Sequence, residues 1–342
     1  MPRPAEPVPV SVVVPTWNRA ASLLTTLDSV FAQTAPPREV IVVDDGSPDD
    51  TEARVAPLAA AGRVRYVRQA NAGTAAARNA GAALAAGEYV CFLDDHDLLF
   101  PDALRVLTAE LARHPGAAFA YGGVVTFGGA PPATRPSFGG LGRAADPGAF
   151  LDGNQIGSPG QVLIRRSAFR AAGGFDGTIW GTDDWDLWLR LLARNAARVV
   201  PAEVLACRLH ADSASRDVAR MYRSSLRVAR HHLARVPAEG RVAQRRRTYV
   251  LLRAHHAPQL VARVLADARA GAWRRAAGAA RAWAATWALD LGARAAAGGA
   301  ASRSARVPNA RLPNEWVPNR ALPYSARSVA AGSTRATRRA GA

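Results

Sequence analysis

Apolar and polar positions along the first hundred residues alternate in short blocks. Val10-Ser11-Val12-Val13-Val14 is a mainly β-branched run closed by Pro15, and it predicts a buried strand. Leu23, Leu27 and Val30 then fall on one face of a helix over residues 20–33, with Asn18 placed to cap it. Glu39 to Val43 predicts a second strand, stopped by the polar stretch DDGSPDD. A helix near 50–60, a strand at 64–67 and a helix opened by the glycine turn of NAGTAAARNAG follow. Tyr89 to Leu93 predicts the next strand, and Pro101 opens a helix running to about Arg113. Strands alternating with helices of this length predict an α/β fold, a mostly parallel Rossmann-like sheet flanked by helices. Ligands of such sheets bind beyond the carboxyl ends of the strands.

Two acidic clusters begin where an apolar strand ends. In DDGS (44–47), Gly46 permits a tight turn that presents Asp44 and Asp45 at the strand end. A carboxylate there can accept from the imide N–H of a pyrimidine base; an Asp-Gly turn with helix caps explains the same residues. In DDHD (94–97), Asp94, Asp95, His96 and Asp97 stand side by side after an apolar run. Like charges this close repel unless something positive lies among them, and a divalent cation is the obvious neutraliser. A third cluster, Asp183-Asp184, opens the helical pattern of GTDDWDLWLRLL (181–192), where acids are favoured by the helix N-terminus alone.

Six stretches in order, VSVVVPTWNR, VIVVDDGSPDDT, NAGTAAARNAG, YVCFLDDHDLLFPDAL, GGFD and TDDWDLWLRL, resemble the successive motifs of family 2 glycosyltransferases. The resemblance covers residues 8–215 and implies a GT-A fold and an inverting, nucleotide-sugar-dependent enzyme. It implies that Asp45 reads the base, with Pro15, Thr16 and Asn18 lining the nucleotide pocket and Arg78 reaching the diphosphate. DDHD stands where the family carries D-x-D, so Asp94 and Asp95 face the nucleotide, and Asp95, His96 and Asp97 are the implied metal ligands. His96 departs from that pattern and shifts the expected preference from Mg²⁺ towards Mn²⁺. Asp184 stands at the place of the family's general base, with Asp183 in place of the usual Glu. CRLHADSAS matches the family's last core motif and adds His210 as a metal or diphosphate ligand. Trp180 and Trp185, with Trp188, flank the expected acceptor side, and core packing is the expected role of at least two of the three. The implied reaction moves a sugar from a UDP- or dTDP-linked donor to a hydroxyl of a cell-surface glycan or lipid-linked acceptor.

Charge divides the chain. All 44 basic residues are Arg; residues 216–342 hold 25 of them against 5 acids, while residues 1–215 hold 19 against 22. The division predicts three segments: a catalytic domain over 1–215, an Arg/Ala-rich helical extension over 216–306 and an arm over 307–342. Tyr222, Leu226, Ala229 and Leu233 share a helical face in the extension, as do Trp273, Trp283, Trp287 and Leu291. A basic helix bearing Trp suits either packing on the domain or peripheral contact with an anionic membrane. Prolines at 308, 313, 318 and 323 forbid helix, and the Ser- and Arg-rich end predicts a segment without fixed structure. Clustered Arg would also neutralise nucleic-acid phosphates, and a non-catalytic binding protein is the competing reading, but the chain carries no nucleic-acid motif. A nucleotidyltransferase would want a lysine near its phosphate loop, and there is no Lys. Two cysteines give no disulfide framework, and MPRPAEPVPV lacks the apolar core of a signal peptide. The expectation is a cytoplasmic protein.

Overall fold

The computed structural model describes residues 7–128, 134–135, 146–209, 217–278, 280, 281 and 284. The first half follows the predicted alternation: β1 (Val8–Thr16), α1 (Ala20–Phe31), β2 (Pro37–Asp44), α2 (Thr51–Ala60), β3 (Arg65–Arg68), α3 (Thr74–Leu84) and β4 (Tyr89–Phe92). There follow β5 (Leu98–Leu99), α4 (Ala103–Arg113), β6 (Ala117–Phe127), β7 (Thr134–Arg135), α5 (Pro147–Asp152), β8 (Val162–Arg165), α6 (Arg166–Ala171), α7 (Asp183–Leu192) and β9 (Ala196–Arg208). Two long helices come last among the assigned elements, α8 (Val218–Leu233) and α9 (Ala238–Arg269).

One sheet runs in the order β3-β2-β1-β4-β8-β6-β9-β5, with β7 paired to β6. Strands β3, β2, β1 and β4 are parallel neighbours, and β8 lies antiparallel between β4 and β6. The apolar runs of β1 and β2 follow from helices covering both faces. Val10, Val12, Val14, Val40 and Val42 join Leu23, Leu27, Leu104 and Leu107 on one side. Val13, Ile41 and Val43 join Phe169, Trp185, Trp188 and Tyr222 on the other. Each such side chain, fully buried, contributes roughly 1.5–3 kcal/mol. Helix α3 lies so close to the sheet that a Cβ on Gly81 would come within 2.3 Å of Val13 Cγ1.

One expectation about local structure is corrected. Asn18 does not cap α1: it adopts a left-handed conformation, φ 56°, and Asp49 Oδ2 accepts from the Ala20 N–H at 3.1 Å. The loop after β2 thus supplies an acceptor that a local reading of the chain has no means to find. Within the 216–306 segment α9 runs for 32 residues with Pro258 inside it, a helix whose bounds and faces the sequence reading did not single out. The predicted face of α8 is buried, with Tyr222, Leu226, Ala229 and Leu233 all in the core that holds Trp185 and Trp188. His210, Trp283, Trp287, Leu291, the proline repeat and the Ser/Arg-rich end lie outside the described residues.

Candidate active site

The carboxyl ends of β1, β2 and β4 and the N-termini of α3 and α7 form one rim. At the end of β1, Pro15 and Thr16 are buried, and the Thr16 hydroxyl donates to Asp95 Oδ2 at 2.8 Å. Asn18 is exposed beside Trp17, which is half exposed. Asp45, at the end of β2, accepts three hydrogen bonds: from Gln69 Nε2 and Ala72 N on Oδ1, and from Gly73 N on Oδ2. A carboxylate offers about four acceptor sites, so one is left for a ligand. Gly73, at φ 89°, makes the turn that opens α3 and sets the direction in which Arg78 leaves it. Asp44 is spent on the turn itself, accepting from Ser47 N and the Tyr66 hydroxyl.

Arg78 is buried, and its partners are two carboxylates of the site. Its Nη2 donates to Asp94 at 2.6 Å and its Nη1 to Asp183 at 3.2 Å. The resemblance places this guanidinium on a diphosphate; the geometry places it between the strand-end cluster and the first turn of α7. Burial works to raise Asp94, but Arg78 and His96 outweigh it and hold the carboxyl below the usual range. Burial likewise opposes charging His96, yet the hydrogen bond to Asp95 and the neighbouring acids raise it.

The ligand atoms that converge are those of Asp94, His96 and Asp97, all within 4.8 Å of one another. Asp95, beside them, accepts from the Thr16 hydroxyl and lies 3.1 Å from His96 Nδ1. Asp97 is buried between two later elements, accepting from the Ser158 hydroxyl at 2.9 Å and from Arg208 N at 2.9 Å. Burial, with Asp94 close by, pushes its carboxyl up to about 6 against His96, Arg208 and Ser158.

The three acids in the first turn of α7 have three different partners. Asp183 meets Arg78. Asp186 is buried with His232 Nε2 at 2.8 Å and Arg190 Nε at 2.7 Å, which ties α7 to α8. Asp184 keeps a water-exposed edge and accepts from Asn154 Nδ2 at 3.1 Å and from Trp185 N at 2.7 Å. The surrounding protein, and then the Asp183 carboxylate, push Asp184 up to about 7 against Trp185 N–H, Arg78 and Asn154. A carboxylate in this condition is matched to taking a proton near neutral pH.

The tryptophans sort by burial. Trp185 is not an acceptor-side residue: it is 1% exposed, and its indole N–H donates to the Phe150 carbonyl at 2.7 Å. Trp188 is core as well, tilted on Phe119 at 5.4 Å. Trp180 is half-buried, with the Arg220 guanidinium 4.0 Å from its ring centroid. Asn154, Ser158, Gln69 and Arg19, whose Nη1 lies 3.1 Å from His96 Nδ1, were not foreseen. Ser158 alone left a local signal: it caps the turn Pro159–Gln161 in a capping box with Gln161, an S-x-x-Q pattern.

A mostly parallel sheet covered by helices, with acids gathered at its strand ends, is the architecture that the solved glycosyltransferase structure reported below shares. The family model described as glycosyl transferase family 2 matches residues 11–173. An uncharacterized protein of Mycobacterium tuberculosis, MT1568, is 31% identical over 224 residues, 59% of this chain and 67% of that one. The chain belongs to glycosyl transferase family 2. An uncharacterized glycosyltransferase of Rickettsia felis is 38% identical over 97 residues, 28% of this chain, which spans 16% of the length of that relative. The crystal structure of S. aureus TarS 1–349 in complex with UDP shares the fold, with a TM-score of 0.58 at 19% identity over 72% of this chain and 71% of that one.

Proposed function

We propose that the protein is a divalent-metal-dependent inverting glycosyltransferase. It takes its sugar from a nucleoside-diphosphate donor, UDP- or dTDP-linked, and passes it to a hydroxyl of a glycan or lipid-linked acceptor. The observation that carries this reading is Asp184: a carboxyl raised to about 7 that keeps an edge open to water and is oriented by Asn154. An inverting displacement needs one base to take the proton of the attacking hydroxyl, on the face of the sugar opposite the leaving group.

The residues at the end of β4 fit a cation. Two carboxylates and one imidazole, from Asp94, His96 and Asp97, offer ligand atoms within 4.8 Å, a donor set that suits Mn²⁺ better than Mg²⁺. When bound, the ion supplies Lewis-acid stabilisation of the charge that gathers on the diphosphate. The chain's own groups do the rest. Asp45 offers its remaining acceptor site to the base, beside Pro15, Thr16 and Asn18. Arg78 holds Asp94 and Asp183 in register, so the donor and acceptor sides of the rim keep a fixed relation. Asp184 orients the acceptor hydroxyl and takes its proton as the sugar transfers. The TarS structure with UDP supports the choice of nucleotide.

Calorimetric titration of UDP, with Mn²⁺, with Mg²⁺ and with EDTA, tests the reading for the parent protein and His96→Ala. Metal-dependent binding that weakens at least tenfold in His96→Ala is the expected result. Failure of UDP, dTDP and GDP alike to bind under every condition would overturn it in favour of a non-catalytic binding module.

A further inference from the structure

Helix α9 carries apolar residues on two opposite faces. One face is explained by packing: Tyr249, Leu252, His256 and Leu260 are buried with α8 in the core. The other face is not. Val250, Ala254, Pro258, Val261 and Leu265 follow one another at helical spacing along it, with Leu251 and Ala262 beside them. All seven are exposed, Val250, Leu251, Val261 and Leu265 by 42–51%, and no polar residue interrupts the row from 250 to 265. A surface helix ordinarily turns polar residues outward, and an unbroken apolar outer row marks a surface that meets something.

The charges around the row select the partner. Arg246 precedes it, Arg269 follows it, and Arg274 and Arg281 continue beyond, all exposed. The whole of α9 holds seven Arg against Glu239 and Asp267, and Asp267 is already paired with Arg263 and Arg275. A second copy presenting the same face would set arginines against arginines. Trp273, 69% exposed just past the helix, adds a side chain suited to an interface between water and hydrocarbon.

We propose that the outer face of α9 is an interfacial membrane-docking surface, with the apolar row lying in the headgroup region of an anionic bilayer and the flanking arginines on the lipid phosphates. It docks without spanning: among the described residues no helix is long and apolar enough to cross a membrane. The surface is joined to the acceptor side of the rim through α5. Arg247 reaches Asp152, the last residue of α5, at 2.8 Å, and Asn154, two residues on, holds Asp184. Docking would therefore bring the proposed base near the bilayer, where a lipid-linked acceptor presents its hydroxyl.

The test is co-sedimentation of the full chain with vesicles of phosphatidylcholine alone and of phosphatidylcholine mixed with phosphatidylglycerol. The parent is expected to partition onto the anionic vesicles only. Val250→Asp/Val261→Asp/Leu265→Asp should lose that binding, and each of Arg246→Gln and Arg269→Gln should lower it about fivefold. Circular dichroism and the UDP titration, unchanged in these variants, establish that they fold and keep the donor site, so this idea fails or stands independently of the catalytic reading. Equal binding by parent and triple variant, or no anionic preference, overturns the proposal. So does a parent dimer on size exclusion that the triple variant dissociates, which would make the face a contact between copies.

Discussion

The acids at the end of β4 and those at the start of α7 are the same residue type in clusters of similar size, yet the fold divides their chemistry. In the strand-end cluster, Arg78 at 2.6 Å keeps Asp94 charged and below the usual carboxylate range. In the helix, burial and a like-charged neighbour raise Asp184 to about 7. Arg78 reaches Asp183, not Asp184, so the cation that pulls Asp94 down acts on Asp184 only at a distance. Two neighbouring environments thus push carboxyl groups of one residue type in opposite directions. Residue type alone does not set these directions; a guanidinium at one carboxyl and burial beside a like charge at the other do.

Asp184→Asn should separate the two acidic clusters most clearly. Sugar transfer should fall by about 10²–10⁴-fold, the usual contribution of a general base, while UDP titration is unchanged. Loss of donor binding instead would place Asp184 on the nucleotide side. Arg78→Leu removes the shared cation and leaves Asp94 and Asp183 facing each other; denaturant unfolding should show a loss of about 3–5 kcal/mol. Transfer by the parent should fall about tenfold per pH unit below about 7 and level off above it, because Asp184 must be unprotonated to act. A profile flat from pH 5 to 8 would leave the base elsewhere.

The smallest effect has a definite sign. The folded state holds the Asp184 proton up to about pH 7 and the unfolded chain releases it near 3.8, so ionising Asp184 costs stability as pH rises between these values. Asp184→Asn should therefore be more stable than the parent at pH 8 by on the order of 1 kcal/mol, and the gain should vanish near pH 4. Unfolding midpoints at the two pH values measure it.

The part of the site at the strand ends was legible because its determinants are local. A β-branched run followed by DDGS or DDHD shows both the strand and the acids that leave it, and β1, β2 and β4 lie where the pattern puts them. The glycine turn before α3 was legible for the same reason, since only glycine accepts φ 89° without strain. Partnerships across long separations were not legible. Thr16 with Asp95, Arg78 with Asp183 and Asn154 with Asp184 join residues 79, 105 and 30 positions apart, and nothing local marks them as pairs. Trp185 shows how position within a motif misleads: its indole points into the core towards the Phe150 carbonyl.

The amino-acid order sets the succession of elements, the rim on which they converge and the residue types gathered there, because hydrophobic period and turn chemistry act over a few neighbours. Only the packed fold settles which carboxylates lie close to one another, which one is raised and which face of α9 is left outward. Those outcomes depend on desolvation and on charges a few ångströms away in space but far apart along the chain, and only the packed sheet and helices bring them within reach.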